Sequence, residues 1–313
     1  MKVLLHYDAG ARLRDLMDRC AAQEGFEIVY VPEGDDQLLA THLPSSNVIW
    51  HVLQPLTDHW LVQAPNLKLV QKIGVGVNTI DCDYARENGI AVCNMPGTNS
   101  NAVAELTLML MLAALRRVPR LDKLVRQGDW FPNSETKESL GEVRGRRIGL
   151  IGFGGSAAVL APILRAMGAE VCYTATSDKK NGYRFLELDS ILRESDIVSL
   201  HCPLTTDTHH LLNERRLGLM PEGSILVNTA RGPLVDQDAL VAALESGRIA
   251  AAGLDVFEFE PMPADCALAQ FDQVVVTPHV SWLTWETWQR SIDIAVHNVR
   301  ALETPESMVH RVI

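Results

Sequence analysis

The chain has 313 residues, 47% apolar and 21% charged, enough for about two domains with buried cores; that balance excludes disorder, collagen-like repeats and low complexity. Lys and Arg number 28 against 39 Asp and Glu, and the resulting net charge of −11 repels phosphate backbones and anionic lipid, so neither nucleic acid nor a membrane surface is an expected partner. The six cysteines (Cys20, Cys82, Cys93, Cys172, Cys202, Cys266) form no CxxC pair and read as small buried hydrophobes of a reducing compartment.

Short apolar runs alternate with amphipathic stretches, the signature of βαβ units around parallel sheets. The first strands are predicted at Lys2–His6, Glu27–Val31, Asn47–His51, Lys68–Ile73 and Ile90–Asn94, with helices between them such as Ala11–Ala22 and Asp81–Asn88. A long Leu, Met and Ala-rich helix follows from Asn99 to Val118, opened by Asn99 and Ser100 and ended near Pro119. Its most apolar part, Ala102 to Leu115, is interrupted by Glu105 and falls short of the roughly 18 residues of a membrane span. The N-terminal run is stopped by Asp8, unlike a signal peptide, so a soluble cytoplasmic protein is expected. Beyond the polar segment Gln127 to Glu142, six more strands are predicted at Arg147–Ile151, Glu170–Thr174, Ile197–Leu200, Ser224–Asn228, Ala250–Leu254 and Val274–Thr277. They suit a doubly wound nucleotide domain. A last helix, roughly Thr284 to Leu302, is positioned to return to the first layer.

Gly152, Gly154 and Ala157 occupy the positions of a GxGxx(G/A) turn that directly follows one strand and opens a helix. The first glycine permits the tight turn, the second lets a pyrophosphate approach the backbone, and Ala157 allows close helix–strand packing. The free N–H groups at the helix start then face the diphosphate. An ordinary glycine turn is the alternative reading.

The end of the next strand bears on which dinucleotide binds. An NAD site places an acid about 20 residues beyond the glycines, on the ribose 2′-hydroxyl. Here the chain reads Thr174-Ala175-Thr176-Ser177, with no acid at that place, and Lys179 and Lys180 follow Asp178. Thr176, Ser177 and Lys179 suit a 2′-phosphate, so NADP is favoured over NAD, although the same residues also read as a solvated turn.

Polar groups lie just past three later strands: Arg231 in Asn228-Thr229-Ala230-Arg231-Gly232, Glu260 before Pro261, and His279 in Thr277-Pro278-His279. Ligands of open α/β sheets bind outside the carboxyl ends of the strands, where these three can converge. A guanidinium clamps a carboxylate and polarises a carbonyl, while a histidine steadied by a carboxylate keeps a proton available for an oxygen that becomes an alcohol. No metal site is expected. The ten histidines are dispersed, and His209-His210 lies in a polar turn without a nearby cysteine or acidic ligand set.

From Gly74-Val75-Gly76-Val77-Asn78 through Met95-Pro96-Gly97-Thr98-Asn99 and the stretch Asn228 to Pro261 to Thr277-Pro278-His279, the sequence resembles the D-isomer-specific 2-hydroxyacid dehydrogenases. The resemblance implies two Rossmann-like/flavodoxin-like α/β domains with parallel sheets and an active site in the cleft between them. Residues 1–98 plus 283–313 would form the substrate domain and 99–282 the dinucleotide-binding domain. It gives Arg231, Glu260 and His279 the catalytic roles and assigns the substrate carboxylate to the backbone at Val75 and Gly76. Cofactor contacts are implied at Gly154, Gly155, Ser156, Pro203, Thr208, Thr229, Ala230 and Asp255, the last on the nicotinamide side. The long helix after Asn99 is implied to form part of a homodimer interface, with a wholly buried intrachain helix as the alternative, and Trp130 is implied to reach toward the neighbouring subunit's site, with exposed loop packing as the alternative.

The missing ribose acid resembles the NADPH-preferring glyoxylate and hydroxypyruvate reductases. The end of the chain at Ile313 leaves no room for the regulatory extension of long phosphoglycerate dehydrogenases, and Glu260 speaks against formate dehydrogenase, where Gln is typical. Trp282, Trp285 and Trp288 read as core residues of one helix, with an aromatic wall beside a small substrate as the alternative. The expected activity is reduction of a short 2-keto acid with NADPH. The alternatives are an NAD-linked dehydrogenase of another D-2-hydroxy acid and, from a different class, a dinucleotide-sensing binding protein.

Overall fold

A computed structural model describes all residues 1–313. The chain divides into two compact units, Met1–Asn99 with Thr284–Ile313, and Ser100–Leu283. Both are α/β units built on parallel sheets.

In the first unit, strands β1 (Lys2–His6), β2 (Glu27–Val31), β3 (Val48–His51), β4 (Leu69–Lys72) and β5 (Ala91–Cys93) take the order β2-β1-β3-β4-β5. Every residue of β3 and β4 is buried, as expected of central strands covered on both faces, the polar His51, Gln71 and Lys72 included. The helix Ala11–Glu24 stops at Gly25, whose φ of 73° lies in the left-handed region that glycine enters without strain. The closing helix Trp285–Arg300 starts where Thr284 accepts a hydrogen bond from the Thr287 amide (3.1 Å). Buried Asn298 on that helix donates to Gln71 of β4 (2.6 Å), fixing the C-terminal segment on the first sheet.

The second unit carries β6 (Arg147–Ile151), β7 (Glu170–Thr174), β8 (Arg184–Phe185), β9 (Ile197–Leu200), β10 (Ser224–Asn228), β11 (Ile249–Leu254) and β12 (Val274–Val276). Their order is β12-β11-β10-β9-β6-β7-β8, so the sheet changes winding direction between β6 and β9. Ligands of doubly wound sheets bind at that switch point. β8 is a two-residue edge strand, too short to leave a periodic signal, and it was not expected. The helix Ser100–Leu115 packs on β10 and β11, and a Cβ at Gly253 would fall 2.8 Å from the Leu110 Cβ, so glycine there permits the close approach.

Two expectations need correction. The helix after Asn99 ends at Leu115, not near Pro119; Arg117 turns into the left-handed region (φ 50°), and Pro119 sits in the first turn of a separate helix, Val118–Arg126, where a missing N–H is harmless. The three tryptophans do not share one helix. Trp282 is buried ahead of it, Trp285 is its first residue with the Arg12 guanidinium 3.8 Å above its ring, and Trp288 packs on Tyr7 with ring centroids 5.2 Å apart. No helix is long and apolar enough to cross a membrane, and all six cysteines are free.

Candidate active site

Gly152 leaves β6 at φ 94°, and a Cβ on it would lie 2.6 Å from the backbone carbonyl of His201, just past β9. Only glycine lets the two loops flanking the switch point touch. Gly154 precedes the helix Gly155–Ala166, which has neither a side-chain cap nor an acid in its first turn, and a Cβ at Gly154 would point into open space. A Cβ on Gly155 would meet the Ser100 hydroxyl at 2.4 Å, and Ala157 is fully buried. An uncapped helix start with open space beside its glycine fits a diphosphate, whose oxygens would accept from the first-turn N–H groups. The Ser156 hydroxyl lies 3.1 Å from His201 Nδ1, and Ser199 lies 2.9 Å from Nε2. Burial pushes the His201 imidazole down to about 4, so a neutral ring ties the turn after β9 to the glycine turn.

β7 ends at Thr174, paired with Ile151, so Ala175 is the first residue past the strand. The one acid in the following loop, Asp178, faces back: its Oδ1 accepts from the Tyr173 hydroxyl (2.6 Å) and the Lys180 amide (2.9 Å). The Tyr173 hydrogen bond, with the Lys180 amide, holds the Asp178 carboxyl below its ordinary value. Thr176, Ser177 and Lys179 are exposed around it.

Arg231, Glu260 and His279 come together in the second unit. His279 Nδ1 lies 2.6 Å from Glu260 Oε2, and Glu260 Oε1 accepts from the Phe257 amide (3.0 Å). Burial pushes the Glu260 carboxyl up, but the His279 hydrogen bond and charge, the Phe257 amide and the Arg231 charge outweigh it and hold the carboxyl below its ordinary value. Burial pushes the Arg231 guanidinium down and the Glu260 carboxylate opposes it, placing the two groups within each other's field. One Arg231 Nη1 hydrogen bond goes to the Ala230 carbonyl (2.6 Å). His279 has φ 53°, uncommon for a residue with a side chain, and its amide donates to the Asp255 carbonyl (2.7 Å).

Residues 108–281 match the family described as D-isomer specific 2-hydroxyacid dehydrogenase, NAD binding domain. A glyoxylate reductase of Thermofilum pendens is 41% identical over 258 residues, 79% of this chain and 76% of the relative. A hydroxypyruvate reductase of Thermotoga maritima is 40% identical over 231 residues, 72% and 74% of the two chains. The chain belongs to the D-isomer-specific 2-hydroxyacid dehydrogenase family. Among solved structures, an NADPH-dependent glyoxylate/hydroxypyruvate reductase from Sinorhizobium meliloti, in complex with NADP and malonate, is similar at a TM-score of 0.83 and 29% identity, over 99% of this chain and 96% of that one.

The remaining sequence-predicted positions of this dehydrogenase are held as follows. Thr208 donates to the Pro203 carbonyl (2.8 Å) and accepts from the Thr205 amide (2.7 Å), closing its own turn. Thr229 is buried against Thr107, hydroxyl to hydroxyl at 2.8 Å, and the Ala230 amide donates to Asn228 Oδ1 (3.0 Å). Asp255 is fully buried, and its carboxylate accepts from the Thr277 hydroxyl (2.6 Å) and the Val280 and Ser281 amides (2.9 Å each). It organises the loop that carries His279. Val75 and Gly76 follow β4 in the first unit, with the Val75 carbonyl accepting from Asn94 (2.8 Å). The expectation that His209-His210 lacks acidic neighbours is corrected, because the fold brings Glu258 to 2.8 Å and Asp236 to 4.0 Å from His210, across a long sequence separation.

Sequence reasoning missed Asn228, His201 and Gly232. Asn228 bridges the Ala230 amide and the Arg231 carbonyl (2.9 Å for the latter), so it shapes the backbone that presents Arg231. Asparagine directly after an apolar strand is a turn former, and that signal was available.

Proposed function

We propose that this dehydrogenase reduces a short 2-keto acid of the glyoxylate or hydroxypyruvate type to a D-2-hydroxy acid, with NADPH preferred over NADH. The observation that carries the reading is the His279 Nδ1 to Glu260 Oε2 contact of 2.6 Å beside the Arg231 guanidinium. With Nδ1 committed to the carboxylate, Nε2 is the ring nitrogen left to hand a proton to the substrate's carbonyl oxygen. Glu260 orients the ring through that hydrogen bond. Arg231 binds the substrate carboxylate and polarises the carbonyl. A dinucleotide held at the glycine turn would supply hydride for the carbonyl carbon, and His279 Nε2 holds the proton that completes the alcohol. The Val75 and Gly76 backbone would hold the carboxylate from residues 1–98 plus 283–313, the substrate domain in this reading, and residues 99–282 would hold the dinucleotide.

Gly152, Gly154, Gly155 and Ser156 would cradle the diphosphate, with Pro203, Thr208, Thr229 and Ala230 lining the rest of the cofactor and Asp255 acting through the His279 loop. Preference for the 2′-phosphate rests on Ala175 in the ribose-acid position, on Asp178 being engaged by Tyr173, and on exposed Thr176, Ser177 and Lys179. The solved relative from Sinorhizobium meliloti is NADPH-dependent, which agrees with this assignment. A homodimer across the helix Ser100–Leu115 and a cytoplasmic location complete the reading; the free cysteines accord with a reducing compartment.

Mixing the protein with NADPH and glyoxylate or hydroxypyruvate and following loss of reduced-nicotinamide absorbance tests it. Faster turnover with NADH would move the assignment to an NAD-linked dehydrogenase. Dinucleotide binding without turnover of any small 2-keto acid would favour a sensor.

A further inference from the structure

The second unit holds a cluster of metal-type ligands that the proposed reaction does not use. His209, His210 and Glu258 bring one donor atom each within 4.8 Å of one another. The two imidazoles are stacked, with centroids 4.0 Å apart and planes at 24°, and His210 Nε2 lies 2.8 Å from Glu258 Oε1. The His210 backbone is fixed: its amide donates to the Pro233 carbonyl (2.8 Å), and its φ of 48° turns the side chain out of the regular path. Glu258 is anchored on the segment that Gly232 approaches, with a Cβ at Gly232 falling 2.5 Å from the Glu258 amide nitrogen. On the far side of the His210 ring, Asp236 Oδ2 is 4.0 Å from Nδ1 while its other oxygen caps a helix at the Ala239 amide (3.1 Å).

We propose that His209, His210 and Glu258 form a Zn²⁺ site. Two imidazoles and one carboxylate suit a borderline-soft divalent ion, whereas Mg²⁺ and Ca²⁺ favour all-oxygen shells. Ligand bonds of about 2.0–2.2 Å place the donors of a tetrahedral ion roughly 3.3–3.5 Å apart. The His210–Glu258 pair therefore opens slightly, and the exposed His209 ring rotates out of the stack to turn its lone pair toward the ion. Water fills the fourth position. The ion would join the turn after Thr208 to the segment leading into Glu260, so the site lies beside the reaction without belonging to it.

Cobalt titration of tag-free protein tests the proposal without any substrate. Co²⁺ is expected to give the visible ligand-field absorption of a tetrahedral centre, saturating at one equivalent and displaced by Zn²⁺. Glu258→Gln and His209→Gln should each abolish it, and since His209 is exposed its substitution leaves folding intact, checked by far-UV circular dichroism. Zn²⁺ should raise the melting temperature of the parent protein and not of either variant. Absorption that persists in both variants, an intense thiolate-to-cobalt charge-transfer band, or no saturable signal would each overturn the site.

Discussion

A methyl group on Gly232 would lie 1.8 Å from the carbonyl oxygen of Phe257. The backbone that presents Arg231 is therefore pressed directly onto the strand-to-loop segment that ends in Glu260, and the absent side chain is what brings the two charges together. Gly232→Ala must push these segments apart. We expect a loss of about 3 kcal/mol, an overpacking cost at the upper end of the usual range, with a melting temperature roughly 6–12 °C lower. Calorimetry reads the shift, and an unchanged melting temperature would mean the segments are looser than described.

The roles of Arg231 and His279 separate kinetically. Arg231→Ala should raise KM and lower kcat together, since it removes both clamp and polarisation. His279→Ala should depress kcat by about 10²–10⁴, the usual contribution of a positioned proton donor, with a smaller change in KM. Steady-state kinetics in the reductive direction decide it, and kcat/KM untouched in either variant would refute the assignment.

The pH behaviour follows from Glu260. Because its carboxyl is held below its ordinary value, it stays ionised through neutral pH. Its stabilising effect is present above the unfolded value of about 4.3 and fades only as pH falls through the lower folded value. Glu260→Gln removes the carboxylate that orients the His279 ring, so kcat for reduction should fall about 10-fold or more. An unchanged kcat would show that the pair is structural only.

Cofactor choice is testable at the end of β7. Ala175→Asp places a carboxylate where a ribose 2′-hydroxyl would be read and a 2′-phosphate repelled. The ratio of kcat/KM for NADH to that for NADPH should rise, and Lys179→Ala should weaken NADPH without harming NADH. Equal effects on both dinucleotides would remove this loop from discrimination.

The proposed dimer depends on the outer face of the helix Ser100–Leu115. Its inner residues are buried within the unit, yet Met109 is 41% exposed, and the following loop shows Trp130 at 72% and Phe131 at 85%. Large apolar side chains so displayed would be covered in the proposed dimer. Met109→Asp should convert the protein to monomer in analytical ultracentrifugation; an unchanged sedimentation coefficient would place the interface elsewhere.

Much of the architecture was readable because short apolar runs such as Val48–Trp50 mark buried parallel strands, and because Gly152 and Gly154 sit between a strand and a helix where their backbone freedom has a purpose. Arg231, Glu260 and His279 were legible as polar residues just past strand ends. What stayed hidden was long-range pairing. Nothing local in His209-His210 announces Glu258, and nothing in Asp255 says that its carboxylate will be taken up by Thr277, Val280 and Ser281. The two-residue strand β8 and the left-handed break at Arg117 were missed because both are imposed by neighbours rather than by local propensity.

The hydrogen bond from Asn298 to Gln71 joins positions 227 apart, and both side chains are fully buried. A nascent chain emerging from the ribosome therefore makes every residue of the second unit before the first can complete its interior. The middle of the protein is able to reach its native form first, while the opening hundred residues wait for the closing thirty. Pulse proteolysis of stalled nascent chains should find Ser100–Leu283 protected earlier than the N-terminal segment, although that segment is the first to be synthesised.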